Sequence, residues 1–485
     1  MSTTIEKLAD FVAEYAERGL PDEVSDYAKL ILLDTVLVGL AAVATERGRM
    51  AVRLAGRMAG GDEASVFGSP ERTAVGAAAY ANADLMNVLD ADETFFNGAH
   101  FAAMGIAAAL AQAEHRHASG AALVRATALS FEVSARLNLG TSLMEYDGDS
   151  FRFSQLSSHG YAALGAVAGY GVVSGFTAKR YANGFGLATW LAPTAKNNYM
   201  SRRHRFNSFK YSPNGQIAFA GVTAAMMAES GYEGDMDSLD TKPGFFDAQG
   251  YLGGAREAIT ERLGEKWWVT ETSLKPYPAC RFSNAALDAL LDLQRREGLR
   301  PEEIERIEIR LSPAAYSIRQ FREPLREMPA DHLAPYHGAF NAPLQAAVAL
   351  CGIPPGPQWY EPRVLADPDI RALAAKVTTA PDPELEAEWQ ETIKSGTGEK
   401  VRRTRGSLTV VARGRTFVVE SDYAMGDPWS ERTRADWDFV AAKLESFCGE
   451  VLAADQRATL LRTVRDLESV SDVATELAPL WRVAG

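Results

Sequence analysis

The sequence predicts a mainly α protein with an α+β second domain. A helical domain is built from both ends of the chain, and an α+β domain is inserted between them. Three observations predict this. Helix-period apolar faces and Ala/Gly-rich segments fill the first part; strand-like alternation is confined to the stretch after Trp267; helical patterns return from Arg434 to the end. At 485 residues the chain also exceeds the ~250–300 residues that one hydrophobic core organises. The expected boundaries are 1–268 and 426–485 for the helical domain and 269–425 for the inserted α+β domain.

In chain order, Leu20-Pro21-Asp22-Glu23-Val24 reads as a helix start, with Pro suited to the first turn and the acids complementing the dipole. Tyr27, Leu30, Ile31, Asp34, Leu37, Val38 and Ala41 then follow at helical spacing. Thr73–Leu89, Ala102–Glu114 and Gly160–Gly175 are rich in Ala and Gly, and small side chains let helix axes approach closely. Ile304–Leu311 alternates apolar and polar residues as a half-buried strand does. Leu408–Ala412 and Thr416–Glu420 flank Arg413-Gly414-Arg415 and predict a β-hairpin. Arg434–Phe447 is helical again.

Composition narrows the function. Apolar residues make up 47% and charged residues 23%, as in an ordinary globular protein. A formal net charge of −13 argues against nucleic acid or an anionic membrane surface as a partner. Three cysteines without CxxC spacing fit a reducing compartment. The first residues lack a secretory h-region, and Leu30–Ala44, interrupted by Asp34, is too short to span a bilayer. The expectation is a soluble cytoplasmic protein. No GxGxxG, P-loop, HExxH or GxSxG signature is present, so no nucleotide, flavin or metal cofactor is expected. Gly184 and Gly186 form a GxG, but no strand pattern precedes it.

The chemistry-bearing residues are few. His115 and His117 follow an Ala-rich helix without a third ligand nearby and read as a solvated helix end. His100 lies ten residues after Asp90 in an acidic, irregular stretch that also holds Asp92 and Thr94. Taken alone, these acids read as loop acids or helix caps, and Thr94 as a loop hydroxyl. His159 precedes a Gly/Ala-rich helix and is either a capping residue or an acid/base. Lys210 and Lys275 stand in turn-rich surroundings where lysines commonly snorkel. Tyr277, between two prolines, reads by default as a packing residue with its hydroxyl at a turn. Arg202, Arg203 and Arg205 form a cationic run, either a solvated loop or a carboxylate-binding patch.

In order along the chain stand Leu33-Asp34-Thr35, Leu89-Asp90-Ala-Asp92-Glu-Thr94 with His100, His159-Gly, Lys210 with Gly215, Leu274-Lys275-Pro-Tyr-Pro-Ala-Cys280 and Gly426-Asp427-Pro428. This series resembles the MmgE/PrpD family of polycarboxylate dehydratases, decarboxylases and epimerases. The resemblance covers about residues 5 to 450. It implies a helical domain with an α+β lid, a homodimer, and an interdomain site without metal or organic cofactor. It places catalytic roles on Asp90, His100, His159, Lys210 and Lys275, and substrate contact on Thr94. Arg202, Arg203, Arg205 and Tyr277 join the expected substrate-binding set. The sequence departs from the family pattern at Ser158, at Tyr211–Asn214 and at Asn284, positions that touch expected substrate contacts.

The reading is therefore a cofactor-independent lyase, a dehydratase or decarboxylase, that acts on a small di- or tricarboxylic acid by abstracting a proton next to a carboxylate. Cations there stabilise the enediolate charge. An isomerase or epimerase on a related acid is the first alternative, since reprotonation on the opposite face needs the same parts. A non-catalytic helical binding or assembly protein is the second.

Overall fold

The computed structural model describes residues 2–96, 99–154, 159–194, 207–209, 213–395 and 401–481. Helix α1 (Thr4–Arg18) begins at a capping box between Thr3 and Glu6. Helix α2 (Asp22–Ala42) starts after Pro21, as the sequence predicts, and is buried around its whole circumference from Tyr27 to Ala42. It is the central rod of the helical part. Around it pack α3 (Val75–Leu85), α4 (Ala102–His115) and α5 (Gly120–Leu139). Helices α6 (Ala162–Ser174), α7 (Ala178–Leu191) and α8 (Asn214–Glu229) extend the bundle.

The Ala/Gly composition works through close approach. A Cβ on Gly165 of α6 would lie 2.7 Å from the Ser130 carbonyl oxygen of α5. One on Gly221 of α8 would lie 2.5 Å from the Ala163 carbonyl oxygen of α6. Only glycine allows these helix axes to come so near, and burial of the neighbouring alanines offsets its poor helix propensity. The Gly184–Gly186 pair serves the same purpose within α7, where Gly186 abuts the Asp235 backbone.

The helical part is not purely helical. Short strands occur within it, including β1 (Thr94–Phe95) and the hairpin Met144–Asp147/Ser150–Phe153. Strand β1 pairs antiparallel with β2 (Thr272–Ser273), tying the loop before α4 to the chain entering the second half. Beyond α9 (Arg281–Glu297) comes a four-stranded sheet of β3 (Ile304–Leu311), β4 (Val377–Pro381), β5 (Gly406–Ala412) and β6 (Arg415–Ser421). Its order is β6-β5-β3-β4, with only the β3–β4 pair parallel. The predicted hairpin is present with a two-residue turn. Arg413 and Gly414 both take positive φ (51° and 67°), as a type I′ turn requires, so Arg415 belongs to the strand.

Helix α10 (Trp437–Cys448) returns to the helical part and packs on α2. It begins three residues later than the periodicity suggests, because the Asp436 carboxylate caps the Phe439 amide at 2.8 Å. The molecule is thus mainly α with some β. Among the described residues, no single helix is long and apolar enough to cross a membrane.

Candidate active site

Three backbone devices build the site. The chain leaves α3 through a turn that ends at Asp90, whose φ of 54° is left-handed. Aspartate tolerates this conformation better than most residues with a Cβ. Two residues after Asp92, β1 pairs Thr94 with Ser273 of β2. That register carries Lys275 to Asp90. Finally, Glu93 accepts the Phe101 and Ala102 amides at the start of α4, both at 2.8 Å, and so fixes the residue before them, His100.

The resulting cluster is tight and enclosed. Lys275 Nζ donates to Asp90 Oδ1 at 2.5 Å. His100 stands between two carboxylates, with Nε2 3.6 Å from Asp90 Oδ1 and Nδ1 3.5 Å from Asp92 Oδ2. Thr94 Oγ1 lies 3.4 Å from both ring nitrogens. Asn87 Nδ2 donates to Asp92 Oδ2 at 2.7 Å. Asp90 and Asp92 are wholly buried, and His100 and Lys275 nearly so. The reading of these acids as ordinary loop residues is therefore overturned, as is that of Lys275 as a snorkelling lysine.

A second ion pair adjoins the first. Lys443 of α10 donates to Asp34 Oδ1 of α2 at 2.5 Å and to the Ala91 carbonyl at 2.6 Å. The segment around Lys275 is held from the other side. Leu274 N donates to Gly426 O at 3.1 Å, Ser273 Oγ to Asp427 Oδ1 at 2.5 Å, and Tyr27 of α2 to Thr272 O at 2.7 Å.

Burial sets the protonation states. It holds the His100 imidazole below its ordinary value, and the Lys275 ammonium acts in the same direction. Burial pushes the Asp34 carboxyl up to about 6 against the pull of Lys443. It raises Glu93 well above the usual carboxylate range, with Asp92 adding to the effect. A neutral imidazole at neutral pH can accept a proton. An ammonium fixed within the same water-poor space can stabilise a developing anion. Asp90, Asp92 and His100 also present ligand atoms within 4.8 Å of one another, a spacing that a divalent ion could bridge. The Lys275 ammonium already supplies positive charge at Asp90.

Of the residues singled out in the sequence, Asp90, Thr94, His100 and Lys275 come together. His159 is buried and meets Tyr161 edge-on at 6.0 Å, and Tyr161 meets Phe101, the neighbour of His100, at 6.1 Å. Tyr277 donates its hydroxyl to Asp288 at 2.6 Å and stacks on Trp359 at 5.9 Å, the geometry of a packing residue. Arg202, Arg203, Arg205 and Lys210 lie outside the described residues. His115 and His117 are exposed at a helix end, as read.

Near Lys210 in sequence, Ser208 accepts Arg47 Nε through its carbonyl at 3.1 Å, and its Oγ lies 3.4 Å from His332 Nε2. Arg47, His332 and Tyr360 line a cleft of about 410 Å³. Tyr360 donates to the Pro278 carbonyl, which links this cleft to the Lys275 segment.

Sequence reasoning gave no role to Glu93 or Lys443, and it named Asp34 as a position of a helix, a break in an apolar run and part of the family pattern, without a role at the site. A signal existed for two of them. Asp34 is the lone acid in an otherwise apolar run, and Lys443 falls on the buried stripe of α10 with Val440, Leu444 and Phe447. A lone charge on the buried stretch of each of two packed helices predicts a pair.

Comparison with known proteins adds the following. The family model described as the MmgE/PrpD N-terminal domain matches residues 6–254, more than half of the chain. The model described as the MmgE/PrpD C-terminal domain matches residues 277–469. The Homo sapiens protein named cis-aconitate decarboxylase is 24% identical over 472 residues, which cover 93% of this chain and 89% of that protein.

Proposed function

The chain belongs to the MmgE/PrpD family, and from that premise we propose that it is a cofactor-independent lyase, a dehydratase or decarboxylase of a small di- or tricarboxylic acid. The observation that carries the reading is the buried His100, held neutral between Asp90 and Asp92 while Lys275 stands 2.5 Å from Asp90. That set can manage a carbanion next to a carboxylate.

In the dehydration branch, His100 takes the proton from the carbon beside a substrate carboxylate. The C–H electrons move into that carboxylate as an enediolate, which Lys275 stabilises. The enediolate then collapses to the alkene as the β-hydroxyl leaves with a proton from the imidazolium. In the decarboxylation branch, the C–C bond breaks, its electrons pass to the remaining carboxylate as carbon dioxide departs, and His100 hands the carbanion a proton that the imidazole has taken up from solvent. Asp90 orients His100 and Lys275 in both branches, and Thr94 holds the imidazole edge. Arg202, Arg203 and Arg205 pair with the carboxylates that do not react, and His159 and Lys210 complete the set of acid, base and cationic groups. The sheet-bearing segment 269–425 acts as the lid over a helical body, and the working unit is a cytoplasmic homodimer.

The test is incubation with citrate-like, aconitate-like and aminodicarboxylic acids in deuterated water, read by NMR and chiral analysis. Alkene formation or carbon dioxide release supports the proposal. Deuterium incorporation with inversion and no elimination reassigns the protein as an epimerase, and no turnover or exchange with any of the acids counts against an enzyme of this class.

A further inference from the structure

The reaction proposed above uses Asp90, His100 and Lys275, yet a second buried ion pair lies directly behind them. Lys443 reaches inward from α10, and its ammonium binds both Asp34 Oδ1 and the Ala91 carbonyl. Ala91 is the residue between Asp90 and Asp92, so the lysine grips the peptide group that both carboxylates flank. The residue before it, Asp90, is in the left-handed region at φ 54°. A turn of this kind persists only where its surroundings hold it.

The pair is costly as mere packing. Its side chains are almost completely buried, and taking two charges out of water is often less favourable than burying two apolar groups of the same volume. Val440, Leu444 and Phe447 on the same face of α10 show that apolar residues suit this contact. An ammonium here does two things that a methionine could not: it orients the Ala91 carbonyl, and it adds a fixed charge beside Asp92.

Resting on the function proposed above, we propose that Lys443, held in place by Asp34, is a positioning residue for the reaction, which sets the Asp90–Asp92 turn around His100 and tunes the proton affinity of that imidazole. The groups that face this arrangement come from every element packed on it. The turn contributes Asp90, Asp92 and Glu93; the chain after β2 contributes Lys275; α2 contributes Asp34 and Tyr27; α10 contributes Lys443 and Cys448; Tyr360 faces Asp90 and Tyr161 faces Glu93. Lys275 and Lys443 are the two ammonium groups among them, and each acts on Asp34.

The experiment reads His100 directly. The protein has seven histidines, so selective 13C labelling resolves them, and His100→Gln assigns the resonance. Lys443→Gln keeps a donor for the Ala91 carbonyl and removes the positive charge. The His100 titration midpoint is expected to rise by about half a pH unit, because one nearby cation is lost. Asp34→Asn keeps an acceptor for Lys443 and removes the anion, so the midpoint should move the other way. Lys443→Arg retains the charge and should keep the wild-type midpoint. On an accepted substrate, Lys443→Gln should lower kcat about tenfold with KM nearly unchanged, since Lys443 touches no substrate.

A purely structural staple would change melting temperature and leave the midpoint where it is. Unmoved midpoints in both Lys443→Gln and Asp34→Asn overturn the proposal. If Lys443→Gln does not fold, Asp34→Asn decides alone, because it keeps the Lys443 side chain beside the Ala91 carbonyl. The titration needs no turnover. A wild-type protein that is inactive on every acid therefore defeats the proposed function and leaves the link between Lys443 and His100 to be judged on its own readout.

Discussion

Two buried ionic clusters in the helical part invite comparison. One is Glu132 and Arg136, a turn apart on α5 and both fully buried. Arg136 donates to Glu132 at 2.9 Å and to the carbonyls of Ile259, Glu261, Arg262 and Lys266, and Glu132 also accepts the Trp268 and Val269 amides. Every hydrogen of the guanidinium is directed at a fixed acceptor, so the pair is a staple that ties the chain before β2 to α5. The other cluster is Asp90, Asp92, His100 and Lys275. Within it His100 lies 3.5–3.6 Å from the carboxylates and 3.4 Å from Thr94. Lys275 makes one hydrogen bond among the described residues, although an ammonium carries three N–H groups. Burial of charge is common to both clusters. What separates them is the group at the centre: the staple holds a guanidinium that stays charged, whereas the site surrounds an imidazole that can change protonation.

The sharpest way to break this comparison is to remove the titrating group. His100→Gln should lower kcat by about 10²–10⁴, the range for a lost general base, with the melting temperature close to wild type. In the wild type, the acid limb of kcat/KM should fall at a pH below the ordinary histidine value of 6.5, because burial and Lys275 disfavour the imidazolium. Proton uptake inactivates the base, so a depressed value keeps activity alive to lower pH. A pH–rate profile whose acid limb lies above 6.5 would contradict the assignment.

The staple should respond in the opposite sense. Glu132→Ala leaves the Arg136 charge buried without its partner, which costs about 3–5 kcal/mol of stability. Urea denaturation would measure that loss, while kcat per folded molecule should stay near wild type. Loss of kcat without loss of stability would place Glu132 among the functional groups.

A smaller effect is expected at the cationic run. Replacing Arg202, Arg203 or Arg205 by Ala should, for at least one of them, raise KM and cost about 1.5–3 kcal/mol in kcat/KM, the range for a charged hydrogen bond. Steady-state kinetics on an accepted acid gives the answer, and unchanged kcat/KM in all three variants would make the run a solvated loop.

The parts legible in sequence were those governed by local rules. The start of α2 at Pro21-Asp22, the Ala/Gly helices, strand β3 and the hairpin all follow from caps, period and turn chemistry within a few residues. The site was legible only through the family motif order. Asp90 and Lys275 are 185 residues apart, and Asp34 and Lys443 are 409 apart, so no local pattern joins them. Taken locally, Asp90 is an acid in a loop and Lys275 a lysine beside a proline. Tyr277 shows the converse. Read by default as a packing residue with its hydroxyl at a turn, it directs that hydroxyl from between Pro276 and Pro278 at Asp288.

The smallest expected effect is none at all, and it tests whether the site's positive charge comes from the protein. Asp90, Asp92 and His100 lie close enough together to hold a divalent ion. Two carboxylates and an imidazole are an ordinary ligand set for such an ion. Against that use, Lys275 stands 2.5 Å from Asp90, and Lys443 binds the carbonyl between the two aspartates. A divalent cation at the triad would have to sit beside a resident ammonium, and like charges at that range repel strongly where water is scarce. Activity should therefore survive exhaustive chelation and dialysis within experimental error, and added Mg²⁺, Mn²⁺ or Zn²⁺ should not raise it. Activity that is lost to the chelator and restored by one of these ions would assign the triad to metal, turn Lys275 into a spectator, and erase the contrast between a permanently charged staple and a proton-handling site.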